Sequence, residues 1–575
     1  MPSDFWIRTM QDADGGRLKQ ALESARVRQR LHPKDVEAVL LLGMLLRRSG
    51  EHAQSAHQFR RASELQPGDP LILRGLAESL MLAQQPAEAI ACWRRACALD
   101  PTSGDAWLEL TTALLITADV DGAARAAEEG LRHLPEWPPL CSNHAVALAR
   151  GGHTEQALAC MRRCLQAHPD ATDLRSNMLL MLHYAEVDAA TMLREHQAFG
   201  ASLPAPQPVS ARTADNTLRV GVLSSDLRGH AVGSFVEPLF SHPPAGTQVI
   251  AFSNQAHGHE DPMRLRLQKL AHAWHDVHML DDAALDALIR RERIDVLLEL
   301  NGHTADNRLP ALARKPAPTI VTAIGYPDTT GLPAVDARVV DAITDPPGSE
   351  RWCTERLLRI DPCFLCYTPL ADAPVPAMPA ADAPFTFGSF NNAAKIGPST
   401  AALWARVLQA VPDSRLLLKS TGLADPAAQA LLQRRFTDAG LPLDRVEMVG
   451  NTREQLAHLA LYNRVHVALD TVPYNGTTTT CEALWMGVPV VTTRGDRHSA
   501  RVSASLLHAA GFPEWVASDA DHFVRIATHL ASDRAALAAL RGGMRDRLRA
   551  STLLDAPAYA ARLHAALRAL HAASA

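Results

Sequence analysis

No stretch of eighteen apolar residues occurs anywhere in this chain, so it offers no segment long enough to cross a bilayer as a helix. Its opening, Met1-Pro-Ser-Asp-Phe-Trp, lacks the basic flank and apolar centre of a secretory signal. The sequence therefore predicts a cytoplasmic protein with no membrane partner. An excess of basic charge is missing too: 57 Lys and Arg stand against 62 Asp and Glu, a formal charge of -5. Arg and acidic residues are interspersed, which argues against a nucleic-acid partner. The nine cysteines (Cys92, Cys97, Cys141, Cys160, Cys164, Cys353, Cys363, Cys366 and Cys481) have no framework spacing. Cys363-Phe-Leu-Cys366 has no second pair to complete a zinc site and no preceding helix signal for redox work, so all nine read as reduced, structural thiols. The histidines His257, His259, His272, His275 and His278 lie in a segment that reads as irregular, without an i,i+4 pair and an acid on one face, so no metal ligand is assigned. What remains is a 575-residue chain, 47% hydrophobic and 21% charged, long enough for two to four globular domains.

The first third is periodic. Pro33, Pro67, Pro101, Pro135 and Pro169 follow one another at intervals of 34 residues. In the same register run Gly43, Ala77, Thr111 and Ala145, then Ser55, Ala89, Ala123 and Ala157, then Phe59, Trp93, Ala127 and Met161. Helical pairs need small side chains where backbones approach and bulky ones where one pair covers the next, while proline marks the turns between pairs. The pattern resembles the tetratricopeptide repeat. It is clearest over 35–168 and predicts a superhelix whose groove binds protein or peptide partners. Trp93 reads as core; Asn143, Arg175 and Asn177 are candidates for the groove, with ordinary polar faces as the alternative.

Helical pattern continues to about residue 200, and Pro204, Pro206 and Pro208 mark a linker over 201–217. Beyond it, apolar runs at Leu218–Leu223, Thr247–Phe252, Ile294–Leu298 and Ile320–Ile324 alternate with helical segments, the signature of a parallel, doubly wound sheet over 218–370. An Ala/Pro-rich connection at 371–384 leads to a second such pattern over 385–540, and 541–575 read as C-terminal helices. In these sheets ligands meet the residues just past the carboxyl ends of strands. His230, His303 and Tyr326, the last in the Gly325–Gly331 loop, fall there on the first lobe.

The second lobe carries the stretch richest in chemistry, Asp470-Thr-Val-Pro-Tyr-Asn-Gly476-Thr-Thr-Thr-Thr-Cys-Glu482. A strand ends at Asp470, a turn follows, and Thr477 to Thr480 occupy the start of the next helix. Hydroxyls beside unpaired backbone amides make an anion site suited to a diphosphate; the plain alternative is a threonine N-cap. Lys395, in Asn391-Asn392-Ala-Ala-Lys395, lies in another strand-to-helix loop and is either a second phosphate contact or a solvated surface lysine.

Taken with the repeats, these stretches resemble the protein O-GlcNAc transferase family, and Asp470–Pro489 is similar to its plant Spindly branch and bacterial relatives. The resemblance implies a tetratricopeptide superhelix followed by two Rossmann-like lobes in the GT-B arrangement. It also implies an inverting, metal-independent transfer of GlcNAc from UDP-GlcNAc to Ser or Thr hydroxyls, with UDP as product and no cofactor. By this likeness His230 and Lys395 are catalytic: His230 sits on the acceptor side, as base or acceptor-positioning donor, and Lys395 holds the diphosphate. Asn392, His458, Thr477, Thr478, Thr479 and Glu482 complete the nucleotide-sugar site, while His303 and Tyr326 line the acceptor side. The chain departs from the animal pattern: Thr477 replaces a histidine, Asn392 a glutamine and Glu482 an aspartate. Gln455 and Leu461 stand where a lysine and an arginine flank the position of His458. Spindly itself uses a fucose donor, so another nucleotide sugar such as GDP-fucose is one alternative. A catalytically idle peptide-binding scaffold is the other.

Overall fold

The computed structural model describes residues 3–206, 217–255, 261–452 and 454–574. Residues 207–216 of the expected linker, with His257 and His259, lie outside them. By internal contacts the chain divides into two units, Met1–His168 and Pro169–Ala575.

The first unit consists, among the described residues, of ten helices: Asp4–Asp14, Leu18–Leu31, Val36–Arg48, His52–Leu65, Pro70–Leu82, Pro86–Leu99, Gly104–Ile116, Val120–His133, Pro138–Arg150 and Thr154–Ala167. They pack as successive antiparallel pairs. The periodic prolines each stand two residues before a helix N-cap. Asp35, Asp69 and Ser103 accept hydrogen bonds there from amides of the first turn, so proline ends one pair while the next residue but one starts another. The small columns lie where helices touch. A Cβ added to Gly43 would meet the Phe59 ring at 3.1 Å. Ser55 Oγ donates to the Gly43 carbonyl (2.7 Å), and Thr111 Oγ1 to that of Trp107 (2.9 Å), so even the polar members are satisfied inside the stack. Trp93 is core, its Nε1 donating to Glu109 (2.7 Å).

The second unit holds two parallel sheets. Strands β1 (Leu218–Ser224), β2 (Thr247–Ser253), β3 (Ala273–Asp276), β4 (Val296–Glu299), β5 (Thr319–Thr322), β6 (Ala337–Val340) and β7 (Arg356–Arg359) form the first, in the order β3-β2-β1-β4-β5-β6-β7. Strands β8 (Thr386–Ser389), β9 (Arg415–Lys419), β10 (Val446–Val449), β11 (Val467–Leu469), β12 (Val490–Thr493) and β13 (Val516–Ala517) form the second, in the order β10-β9-β8-β11-β12-β13. The order reverses between β1 and β4 and again between β8 and β11. These switch points open crevices at the carboxyl ends of the strands. The expected histidine cluster is not irregular throughout, since His275 sits in the edge strand β3. No group of three or more metal-ligating side chains converges among the described residues, and no helix there is long and apolar enough to cross a membrane.

Two chain segments tie the lobes together. The final helix, Ala556–Ser574, returns to the first lobe, where Tyr559 Oη donates to the Phe364 carbonyl (2.9 Å). The helices Thr172–Leu182 and Ala189–Ala201, which the sequence groups with the repeats, instead pack in the α/β unit and cover the loops after β4 and β5.

Candidate active site

At the second sheet's switch point, Asp470 organises the loop after β11. Its buried carboxylate accepts from the amides of Thr471 (2.9 Å) and Gly476 (2.8 Å), from Asn391 Nδ2 (3.2 Å) and from Thr492 Oγ1 (2.7 Å). Burial raises its pKa, and these bonds pull against that shift. Gly476 permits the tight return: a Cβ there would lie 2.7 Å from Thr479 Oγ1 and 2.9 Å from Asn391 Oδ1. The helix Thr478–Trp485 then begins without a side-chain cap, because Thr477 makes no such bond. Of the four threonines, Thr479 donates to Asn391 Oδ1 (2.7 Å) and Thr480 turns inward to Ser503 (2.9 Å). Thr477, Thr478 and Thr479 line a cleft at this uncapped helix start. The arrangement leaves the helix start uncapped, where backbone amides can take an anion.

Lys395 faces the same cleft. Its ammonium donates to the Asn475 carbonyl (2.7 Å) and sits 3.6 Å above the centre of the Tyr474 ring. Burial lowers its pKa to about 8, with Asp470 opposing the shift. Asn392 lines the cleft beside it and accepts from the Ala394 amide (3.1 Å), shaping the turn that presents Lys395.

Across the cleft, the first lobe contributes His230, Val232, Ile324 and Gly325. His230 Nδ1 lies 3.4 Å from both Asp226 Oδ1 and the Val232 amide. Burial lowers its pKa, the Asp226 carboxylate working against the shift and Arg228 adding to it. Burial thus favours the neutral ring, and Asp226 is placed where it would stabilise an imidazolium. Ile324 adopts a φ of 64°, the left-handed region, which is strained for a β-branched residue. The strand expected to run to Ile324 accordingly ends at Thr322.

His230, Asn392, Lys395, Thr477, Thr478 and Thr479 thus come together in one cleft. His458 and Glu482 do not line it. They pair with each other within the second lobe, Nε2 to Oε2 at 3.0 Å, and His458 Nδ1 is buried without a partner. Lys419, at the end of β9, feels the Glu482 carboxylate, which works against the lowering of its pKa by burial.

His303 and Tyr326 are not on an acceptor-side surface. His303 is fully buried, its Nε2 donating to the Thr330 carbonyl (2.9 Å) and its Nδ1 accepting from Ser176 (2.9 Å). The Tyr326 hydroxyl donates to His196 Nε2 (2.7 Å) and accepts from His183 Nε2 (3.1 Å). The covering helices from 172–201 turn both residues into core, although Gly325 and Pro327 on either side of Tyr326 do reach the cleft. Sequence reasoning missed Asn391, Tyr474, His498 and the organising role of Asp470. Asp470 had a signal, an acid closing an apolar strand before a Pro/Gly turn.

Compared with known families, residues 201–366 and 378–563 match the model of glycosyl transferase family 41, and residues 72–113 match a tetratricopeptide repeat. The chain belongs to glycosyl transferase family 41. A family 41 relative from Arabidopsis thaliana, named probable UDP-N-acetylglucosamine–peptide N-acetylglucosaminyltransferase SPINDLY, is 37% identical over 411 residues, covering 70% of this chain and 45% of that protein. UDP-N-acetylglucosamine–peptide N-acetylglucosaminyltransferase of Caenorhabditis elegans is 34% identical over 179 residues, 31% of this chain and 15% of its own. The chain thus spans about half the length of the SPINDLY relatives it matches. A solved mutant of Thermobaculum terrenum O-GlcNAc transferase superposes with a TM-score of 0.67 at 30% identity, covering 99% of this chain and 97% of that one. The match extends over both the repeats and the lobes.

Proposed function

We propose that this protein is an inverting glycosyltransferase that moves GlcNAc from UDP-GlcNAc to Ser or Thr hydroxyls of protein acceptors. The observation that carries the reading is the convergence of the Lys395 ammonium with the uncapped helix start at Thr478 in one interlobe cleft. The names of the relatives supply the donor and the peptide acceptor. When the acceptor oxygen attacks the anomeric carbon, the bond to the diphosphate breaks and negative charge grows on the leaving oxygen. Lys395, the helix amides and the threonine hydroxyls stabilise that charge from preset positions, which is where electrostatic catalysis is strongest. His230, neutral and backed by Asp226, takes the acceptor proton. His458, with its unpartnered Nδ1, and Glu482 serve the nucleoside end. The repeats recruit the acceptor.

Calorimetry with UDP, UDP-GlcNAc, GDP and GDP-fucose tests the donor assignment. Binding of UDP and UDP-GlcNAc is the expected result; binding of the guanosine pair alone would overturn it. The charge supplied by Lys395 and the helix replaces a divalent ion in this reading, so turnover should be unchanged in chelator. Turnover that vanished in chelator and returned with magnesium or manganese would contradict this.

A further inference from the structure

His498 follows β12 in the second lobe and lines the same cleft as Lys395 and His230. Its ring is held from two sides by the first lobe. Nδ1 lies 2.5 Å from Asp345 Oδ2, and the Phe364 ring meets the imidazole edge-on with centroids 4.9 Å apart. Asp345 is buried; burial opposes its ionisation, yet His498 and Arg338, whose Nη1 is 3.8 Å away, hold it well below the usual carboxylate range. The carboxylate accepts from Nδ1, which leaves Nε2, on the other side of the ring, for a ligand. Nε2 has no hydrogen-bond partner among the described residues.

The order of groups along the second lobe says what that nitrogen meets. His458 and Glu482 pair with each other outside this cleft. Thr477, Thr478 and Lys395 mark the diphosphate within it. His498 belongs to the same donor-holding lobe but is clamped by residues of the opposite one, as Val232 and Ile324 close the other wall. The part of a nucleotide sugar that extends past its diphosphate toward the first lobe is the sugar.

Resting on the proposed donor reading, we propose that His498, oriented by Asp345, shares a hydrogen bond with a hydroxyl of the donor's sugar ring and so helps select that sugar. The contact is made only when both lobes are in place, since one supplies the imidazole and the other fixes its direction.

His498→Asn and His498→Leu separate this role from a structural one. Asparagine can still donate to Asp345 from near the Nδ1 position but has nothing at Nε2; leucine loses both. Calorimetry measures UDP and UDP-GlcNAc binding to wild type and both variants, with melting curves alongside. One neutral hydrogen bond corresponds to a roughly three- to tenfold change in affinity. UDP-GlcNAc binding should weaken by that factor in both variants, while UDP binding stays within about twofold of wild type. Only the leucine variant should melt at lower temperature. Unchanged UDP-GlcNAc affinity in His498→Asn would overturn the inference, and so would equal weakening of UDP. If wild type prefers another nucleotide sugar, the same comparison uses that sugar and its free nucleoside diphosphate. Wild type binding none of them would instead remove the donor reading, and this inference with it.

Discussion

At the end of β4 in the first lobe, Glu299 accepts from the amides of Asn301 and Gly302 and from Thr322 on β5. At the end of β11 in the second, Asp470 accepts from the amides of Thr471 and Gly476 and from Thr492 on β12. An asparagine bridges each crevice: Asn301 accepts from the Ser225 amide beyond β1, and Asn391, beyond β8, donates to Asp470. The two switch points are built alike around a buried acid, an adjacent-strand threonine and an asparagine. They differ in what lies above. Over the first, the helices Thr172–Leu182 and Ala189–Ala201 deliver Ser176, His183 and His196, and His303 and Tyr326 are sealed against them. Over the second, the helix start at Thr478 is left uncapped and Lys395 stands beside it. The same frame is closed as core in one lobe and left open to the cleft in the other.

The largest expected effect comes from emptying the open site. Lys395→Ala removes the charge facing the leaving diphosphate. Charge-assisted hydrogen bonds are worth about 1.5–3 kcal/mol, so kcat/KM should fall roughly ten- to hundredfold, with kcat affected as well as donor binding. Steady-state and single-turnover kinetics check this; an unchanged transfer rate would mean the cleft does not hold the donor as argued. Next comes the wall the first lobe contributes. His230→Ala should lower transfer by about tenfold, the loss of one hydrogen bond to the acceptor with solvent able to take the proton, while UDP affinity stays near wild type. A parallel loss of UDP affinity would place His230 on the donor instead.

The closed switch point supplies the contrasting prediction. His303→Ala leaves Ser176 and the Thr330 carbonyl without their partner, a loss of about 1–3 kcal/mol of stability. Melting temperature should drop while UDP affinity does not change. If affinity fell and stability held, the closed frame would be part of the binding site after all. The smallest effect belongs to a single hydroxyl: Thr478→Val should weaken UDP binding only about two- to tenfold, because the helix amides remain.

Much of this comparison could be read from the chain. The proline interval and the small-residue columns specify the repeats, since turn and contact chemistry recurs at fixed spacing. Apolar runs ending in Asp470 and Phe390 placed Lys395 and Thr478 at strand ends, where the topology puts ligands. His303 and Tyr326 occupy equivalent strand-end positions, and the same rule puts them on the acceptor side. The rule failed because burial there depends on helices that lie more than a hundred residues earlier and look like a continuation of the repeats. The Asp345–His498 pair was hidden for a related reason: its members are 153 positions apart and neither sits in a motif. The four threonines look alike in sequence, yet Thr480 turns inward to Ser503 while Thr477, Thr478 and Thr479 line the cleft.

The central claim is that the second switch point is an anion site whose lysine is only partly protonated until its ligand arrives. With a pKa of about 8, Lys395 is about half charged at pH 8 in the free protein, and a bound diphosphate drives it to the charged form. Charge is lost as pH rises through that value, so donor kcat/KM should decline above about pH 8. Calorimetric titration of UDP at pH 8, in buffers of different ionisation enthalpy, counts the protons taken up. Wild type should take up about half a proton per UDP, and Lys395→Arg, which stays charged throughout, should take up none. Equal uptake by the two proteins, or none by wild type, would contradict the account.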